Sequence, residues 1–226
     1  MTFPKIESPY GDVNTVYEDN FIAAFSKPHG LHVINDRNRN EQVTLKSLLT
    51  AQYGKIYVVH RLDAGTGGII VFAKTAETHA TLCGSFERSE VRKEYRAVVA
   101  GAFNCPVSVL LPISPKPNKG KYKINFKSGK TAVTTFYDPE NFGAGSLVKV
   151  IPLTGRTHQI RVHLKALKHP LYKDWLYNSS DNKKRCTDKR LTLFAKKLTF
   201  SHPVTRKEII IEAELSEFMM ETLRNL

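Results

Sequence analysis

The chain has 226 residues, 41% of them hydrophobic, enough for a real core and a length that suits one large domain or two small ones. With 34 Lys+Arg against 21 Asp+Glu, the formal net charge is +13; this favours phosphate contacts and makes nucleic acid the leading partner class. No apolar run is long enough to cross a bilayer, Met1-Thr2-Phe3-Pro4-Lys5 is not a secretory signal, and the scattered Cys83, Cys105 and Cys186 suit neither a disulfide framework nor a zinc site. The reading is a cytoplasmic protein with reduced thiols and no membrane association.

No internal repeat, low-complexity tail or long linker interrupts the chain, which predicts a single domain over 1–226. Two apolar patches in 13–25 flank Glu18-Asp19-Asn20 and read as a hairpin. Lys27-Pro28-His29-Gly30 then breaks the chain. Thr44 is placed to cap a short helix bearing Leu45, Leu48 and Leu49. Residues 56–59 and 69–73 read as buried strands, and a helix over about 76–86 follows, with Leu82 and Phe86 one turn apart. Strand character returns at 93–100, stopped by Gly101, and again at 131–137 and 147–151. Thr157 is placed to cap a helix beginning near His158, with Ile160, Leu164 and Leu167 on its buried side and Pro170 past its end. The chain closes with a strand over 191–200, a turn at His202-Pro203, a strand over 208–213 and a helix capped by Ser216. Strands dominate and helices are inserted irregularly, which predicts α+β with a largely antiparallel sheet.

Residues 112–130 carry Lys116, Lys119, Lys121, Lys123, Lys127 and Lys130, with Tyr122 and Phe126 between them. Basic residues interleaved with aromatics suit a segment that follows a phosphate backbone and stacks on unpaired bases; a solvated hairpin kept soluble by its lysines reads equally well. A second basic run, Lys183, Lys184, Arg185, Lys189 and Arg190, holds no aromatic and reads as a solvated loop.

Chemistry is concentrated in His60-Arg61-Leu62-Asp63, followed by Ala64-Gly65-Thr66-Gly67-Gly68. A carboxylate just past one apolar strand, on a glycine-rich turn that leads into another, is held as catalytic groups often are. Taken alone, Asp63 is better read as a turn residue. Other segments change that reading: Ser26-Lys27-Pro28-His29-Gly30-Leu31; Val91-Arg92-Lys93-Glu94-Tyr95 with Gly101; Gly129-Lys130-Thr131-Ala132 with Thr134; Gly155-Arg156-Thr157-His158-Gln159-Ile160-Arg161-Val162-His163, then His169-Pro170 and Asp174; and Arg190-Leu191 with His202-Pro203. In order and spacing these resemble the RluA-type pseudouridine synthase family, over most of the chain.

The resemblance implies a bent, mixed and mainly antiparallel sheet with flanking helices and loops and a central active-site cleft. It also implies residue roles. Asp63 is the essential aspartate, Tyr95 packs on the target base, Arg161 pairs with the Asp63 carboxylate, and Arg61 helps displace the target nucleotide. Ile160 is the aliphatic neighbour of the base, and His60, Thr66, Lys93, Lys130 and Arg156 are further candidates for RNA or base contact. Arg156 and Gln159 fit either a phosphate contact or an ordering of the helix start. The implied substrate is uridine in structured rRNA or tRNA, with no cofactor, no metal, no obligate protein partner and a monomeric enzyme. No S4-type RNA-binding domain is expected, because the resemblance begins near Val13. Two departures stand out. The family's Thr-Ser-Gly is Thr66-Gly67-Gly68 here, which predicts a looser loop, and Phe194 replaces a histidine in Arg190-Leu191-Thr192-Leu193-Phe194-Ala195.

The implied chemistry breaks C1′–N1 of uridine, turns the uracil and rejoins it through C5. Asp63 either attacks C1′ or takes a proton from the sugar, and a guanidinium such as Arg161 can bind both of its oxygens. The detached base must stay in a snug, largely apolar pocket, after leaving its stack at a cost of about a few kcal/mol. His158 and His163 read as structural rather than as a metal pair, and Trp175 as core. Two rivals remain: a non-catalytic RNA-binding protein on the same fold, and a glycosidic hydrolase. The hydrolase needs a second carboxylate, for which Asp174 is the one candidate.

Overall fold

The computed structural model describes residues 5–35, 43–104, 106–178 and 188–226. Lys183, Lys184 and Arg185 of the second basic run, with Cys105 and Cys186, lie outside them. The elements in chain order are β1 (Lys5–Ile6), β2 (Val13–Glu18), β3 (Ile22–Lys27), α1 (Leu45–Tyr53), β4 (Tyr57–Val58), β5 (Gly67–Ala73), α2 (Ala76–Glu87) and β6 (Arg92–Ala100). They continue with β7 (Val107–Leu110), β8 (Val133–Phe142), β9 (Gly145–Pro152), α3 (Gln159–Ala166), β10 (Leu193–Ser201), β11 (Glu208–Glu212) and α4 (Glu217–Arg224). This is the α+β, mainly antiparallel class that the sequence predicts. The chain forms two compact units, 1–92 with 195–216, and 93–194 with 217–226.

In the first unit the strands run β1-β2-β3-β5-β10, with β4 also paired to β5 and β11 to β10. The predicted hairpin is β2–β3. Asp19 makes its turn by accepting from the backbone N–H groups of Phe21 (2.7 Å) and Ile22 (2.8 Å). Asp19 also lies 2.9 Å from His202 Nε2. Nδ1 of that ring accepts from Val204 and Thr205, so Nε2 carries the proton. Thr44 caps α1 in a full capping box with Ser47. Every residue of β5 is buried, which explains its unbroken apolar run. Gly68 opens β5 at φ +102, where a Cβ would collide with the Ala195 backbone.

In the second unit β6-β9-β8-β7 form antiparallel pairs. The sequence predicts a strand over 131–137, short of Asp138-Pro139. The strand instead passes through a bulge there, with Asp138 at φ +45 and a register shift between Tyr137 and Glu140, and resumes to Phe142. α3 starts at Gln159, and Thr157 does not cap it. The N-cap is His158, at φ +56 with no side-chain cap. The Gln159 amide orders this end instead: Oε1 accepts from Arg156 N and Thr154 Oγ1, and Nε2 donates to Val133 O and Thr134 Oγ1. Residues 159–164 of α3 are all buried, so a helix with three polar or charged side chains, Gln159, Arg161 and His163, sits inside the core on satisfied hydrogen bonds.

Candidate active site

The His60–Asp63 run leaves β4 and turns into β5. Thr66 N donates to Asp63 O (3.0 Å), closing a tight turn. Leu62 and Thr66 are buried on either side of a half-buried Asp63. His60 is built into this framework: Nε2 accepts from Val71 N (3.1 Å), and its ring stacks on Phe86 at 4.4 Å. Arg61 is exposed.

The segment after β3 clasps the turn. Lys27 Nζ donates to Pro28 O, Leu31 O and Ala64 O at 3.0, 2.8 and 3.1 Å. Gly30 N also donates to Ala64 O, at 2.8 Å, and His29 Nδ1 reaches Gly65 O at 2.8 Å. The two carbonyls that follow Asp63 are thus held by three consecutive-region donors. Sequence reasoning missed Lys27 as a site residue, since lysine is normally a surface residue; its one signal is a place at the end of the apolar strand Ile22–Lys27.

Burial pushes the Lys27 ammonium down to about 7, with the negative charge of Asp63 acting the other way. The folded value lies below the free-chain 10.5, so the unfolded chain binds more protons between the two. The contribution of Lys27 to stability therefore rises with pH across that window, by up to about 1.4 kcal/mol per pH unit, and is least below about 7. In urea unfolding, the stability of wild type relative to Lys27→Met should grow from pH 7 to pH 9.5. A difference that stays flat would show that burial does not control this group.

In the second unit Arg161 is 2% exposed and Asp174 3%. Arg161 donates from Nε to Asp174 Oδ2 (2.8 Å) and from Nη2 to Oδ1 (2.9 Å). Oδ1 also accepts from the backbone N–H groups of Leu176 and Tyr177. The guanidinium lies over Trp175 and Tyr177, 5.2 and 5.0 Å from the ring centres. Asp174 is therefore a brace that fixes the Arg161 fork. Buried, with both oxygens accepting, it is badly placed to act as the acid of a glycosidic hydrolase.

Tyr95, opposite Val150 in β6–β9, packs against the core cluster that contains Ile160, as does Trp175. Lys93 is half-buried, and burial pushes its ammonium below the usual value. Arg156 is exposed and donates from Nε to Thr131 O, while Lys130 bonds Ile113 through its backbone and leaves its side chain exposed. His158 Nδ1 meets Tyr177 Oη at 3.0 Å. His163 bridges Thr134 Oγ1 (2.9 Å) and Leu111 O (3.0 Å), and burial lowers its pKa. Both histidines serve as structural links, and among the described residues no cluster of three His, Cys, Asp or Glu side chains is placed to hold a metal ion. Phe194 is 1% exposed in β10, where an apolar ring needs no hydrogen-bond partner.

Residues 112–130 form a two-sided arm. Tyr122 and Ile124 pack against Ile113, Ala132, Val162 and Tyr177, and Tyr122 N donates to Tyr177 Oη at 2.8 Å. Lys116, Lys119, Lys123, Lys127 and Lys130 are exposed. Phe126 is 78% exposed. Of the two aromatics, Tyr122 anchors the arm and Phe126 is presented to solvent.

Comparison with known proteins agrees with this picture. The family model described as RNA pseudouridylate synthase matches residues 22–166. The "Dual-specificity RNA pseudouridine synthase RluA" of Haemophilus influenzae is 35% identical over 214 residues, covering 93% of this chain and 95% of that protein. The "tRNA pseudouridine synthase C" of Pasteurella multocida is 31% identical, covering 92% of this chain and 93% of that one. Among solved structures, "Human RNA Pseudouridylate Synthase Domain Containing 4" superposes with a TM-score of 0.75 at 22% identity, over 93% of this chain and 91% of that one, a likeness of fold. The chain belongs to the RNA pseudouridylate synthase family.

Proposed function

We propose that this protein isomerises uridine to pseudouridine in structured rRNA or tRNA, with Asp63 as the nucleophile. The observation that carries the reading is the clasped turn. A half-buried carboxylate stands on a loop whose next two carbonyls are pinned by Lys27, His29 and Gly30, the kind of preorganisation a reacting group requires. The relatives support the substrate class, being named for action on tRNA, on the large ribosomal subunit, or for dual specificity.

In this reading Asp63 attacks C1′, or removes a proton from the sugar, as C1′–N1 breaks. The uracil rotates and C1′–C5 forms as the Asp63–C1′ bond breaks, or, in the second route, as the sugar regains the proton that Asp63 took; C5 gives up its proton to solvent and N1 gains one, so the reaction is a net isomerisation. Tyr95 packs on the base, with Ile160 as its aliphatic neighbour. Arg161, braced by Asp174, orients the carboxylate, and Arg61 helps to keep the nucleotide out of its stack. Both compact units belong to one catalytic domain over 1–226, which is supported by a family match that runs through the boundary at Arg92 and Lys93. The direct test is tritium release from [5-³H]uridine-labelled rRNA and tRNA. Release that requires the enzyme, with pseudouridine in the product, is expected; tight binding without release from any cellular RNA would refute the assignment.

The exposed arm supplies affinity. Changing Lys116, Lys119, Lys123 and Lys127 to Gln should weaken RNA binding by about ten-fold or more at low salt and flatten the slope of log K against log salt by up to about three. Phe126→Ala should weaken single-stranded substrates by about 1–3 kcal/mol if the ring stacks on a base. Filter binding across a salt series measures both, and an unchanged slope would assign the arm to solvation alone.

A further inference from the structure

The family pattern that the chain resembles has Thr-Ser-Gly after the catalytic aspartate, where this chain has Thr66-Gly67-Gly68. Taken alone, the missing side chain predicts a looser loop. The structure shows a different outcome, because another side chain occupies the space. A Cβ on Gly67 would lie 2.5 Å from Nε2 and 2.6 Å from Cδ2 of His29, distances that carbon does not tolerate. The backbone is not the reason for the glycine: Gly68 has a positive φ, but Gly67 does not. What bars a side chain at 67 is the imidazole of His29.

That imidazole is 5% exposed and doubly bonded. Nδ1 lies 2.8 Å from Gly65 O; a carbonyl oxygen only accepts, so Nδ1 carries the proton. Nε2 lies 2.9 Å from Ser216 Oγ and accepts from that hydroxyl in the neutral ring. The ring therefore links the second carbonyl after Asp63 to Ser216, across 187 residues of chain, and fills the place a side chain at 67 would take.

We infer that His29 is a positioning residue for the Asp63 turn, a substitute supplied from the 27–30 segment for the serine of the Thr-Ser-Gly pattern, and that His29 and Gly67 form a matched pair. This rests on the reading of Asp63 as the reacting group. A side chain at either position excludes the other. His29→Ala opens the space and frees Gly65 O, Gly67→Ser alone drives the hydroxymethyl group into the ring, and the two together place a serine in the vacated volume.

Two readouts test the pair: steady-state tritium release, and hydrogen exchange of the Thr66 amide, whose bond to Asp63 O closes the turn. His29→Ala should speed Thr66 exchange and lower kcat by about ten-fold each, with KM for RNA within about two-fold, because the arm and not the turn supplies affinity. Adding Gly67→Ser to it should return both to within about three-fold of wild type, a coupling that independent sites do not show. His29→Gln, whose amide can donate to Gly65 O and accept from Ser216, should fall between wild type and His29→Ala. Wild-type exchange and kcat in His29→Ala, or a double variant no better than the poorer single one, would overturn the proposal. If the wild type releases no tritium, the functional reading falls, while Thr66 exchange still decides whether His29 holds the turn.

Discussion

Asp63→Asn is expected to lower tritium release by at least about 10³-fold while leaving the Kd for the same RNA within a few-fold of wild type. An amide of the same shape is a poor nucleophile and a poor base, so the chemical step fails. Binding survives because the exposed lysines of 112–130 lie elsewhere in sequence and are untouched. The turn also survives, since Lys27, His29 and Gly30 hold the backbone carbonyls of Ala64 and Gly65, which the substitution leaves in place. Single-turnover tritium release with matched filter binding measures the two quantities. Retained turnover would remove Asp63 from the centre of the reaction. Equal loss of turnover and binding would make it a recognition residue.

Asp174→Ala should destabilise the second unit by about 3–5 kcal/mol, because it takes from the buried Arg161 guanidinium the carboxylate that binds its Nε and Nη2. That is a large part of the total stability of an ordinary domain, about 5–15 kcal/mol. It also deprives the Leu176 and Tyr177 amides of their acceptor. Replacing both charges, as in Arg161→Met with Asp174→Leu, should recover much of that stability, since the desolvation of the pair is removed with it. The double variant should nevertheless be inactive, because the guanidinium assigned to the catalytic aspartate is gone. Chemical denaturation and tritium release on the three proteins separate the structural from the catalytic role. Wild-type stability in Asp174→Ala would mean that the brace carries little energy.

The sequence made legible what local chemistry controls. The β2–β3 hairpin follows from an aspartate that makes its own turn, and α1 from the Thr44 hydroxyl placed three residues before Ser47. The apolar run of β5 announced a strand covered on both faces. Features set by distant partners were not legible. Nothing local says that Gln159 rather than Thr157 orders the start of α3, because its amide bonds to β8. Asp138-Pro139 looks like an end until the pairing with β9 carries the strand past it. Lys27 looks like a surface residue until three carbonyls converge on its ammonium. At the site, family resemblance points to Asp63, Tyr95 and Arg161, but the sequence offers Asp174 only as a possible acid, since no spacing rule pairs residues 161 and 174. Gly67 looks like a loss in the sequence because its complement, His29, stands 38 positions earlier.

The placement of β10 beside β5 has a consequence for how the protein is made. On that edge of β5, β4 pairs only with Phe72 and Ala73, and His60 takes the Val71 amide. The stretch around Gly68 is covered by Ala195 and its neighbours in β10. At roughly 5–20 residues per second, the ribosome reaches Ala195 on the order of ten seconds after it has made β5. For that interval β5, whose every residue is buried in the finished fold, has an open edge, the state in which strands recruit other chains. Fast synthesis and early chaperone contact at 67–73 should therefore govern the yield of soluble protein more than the stability of the finished fold.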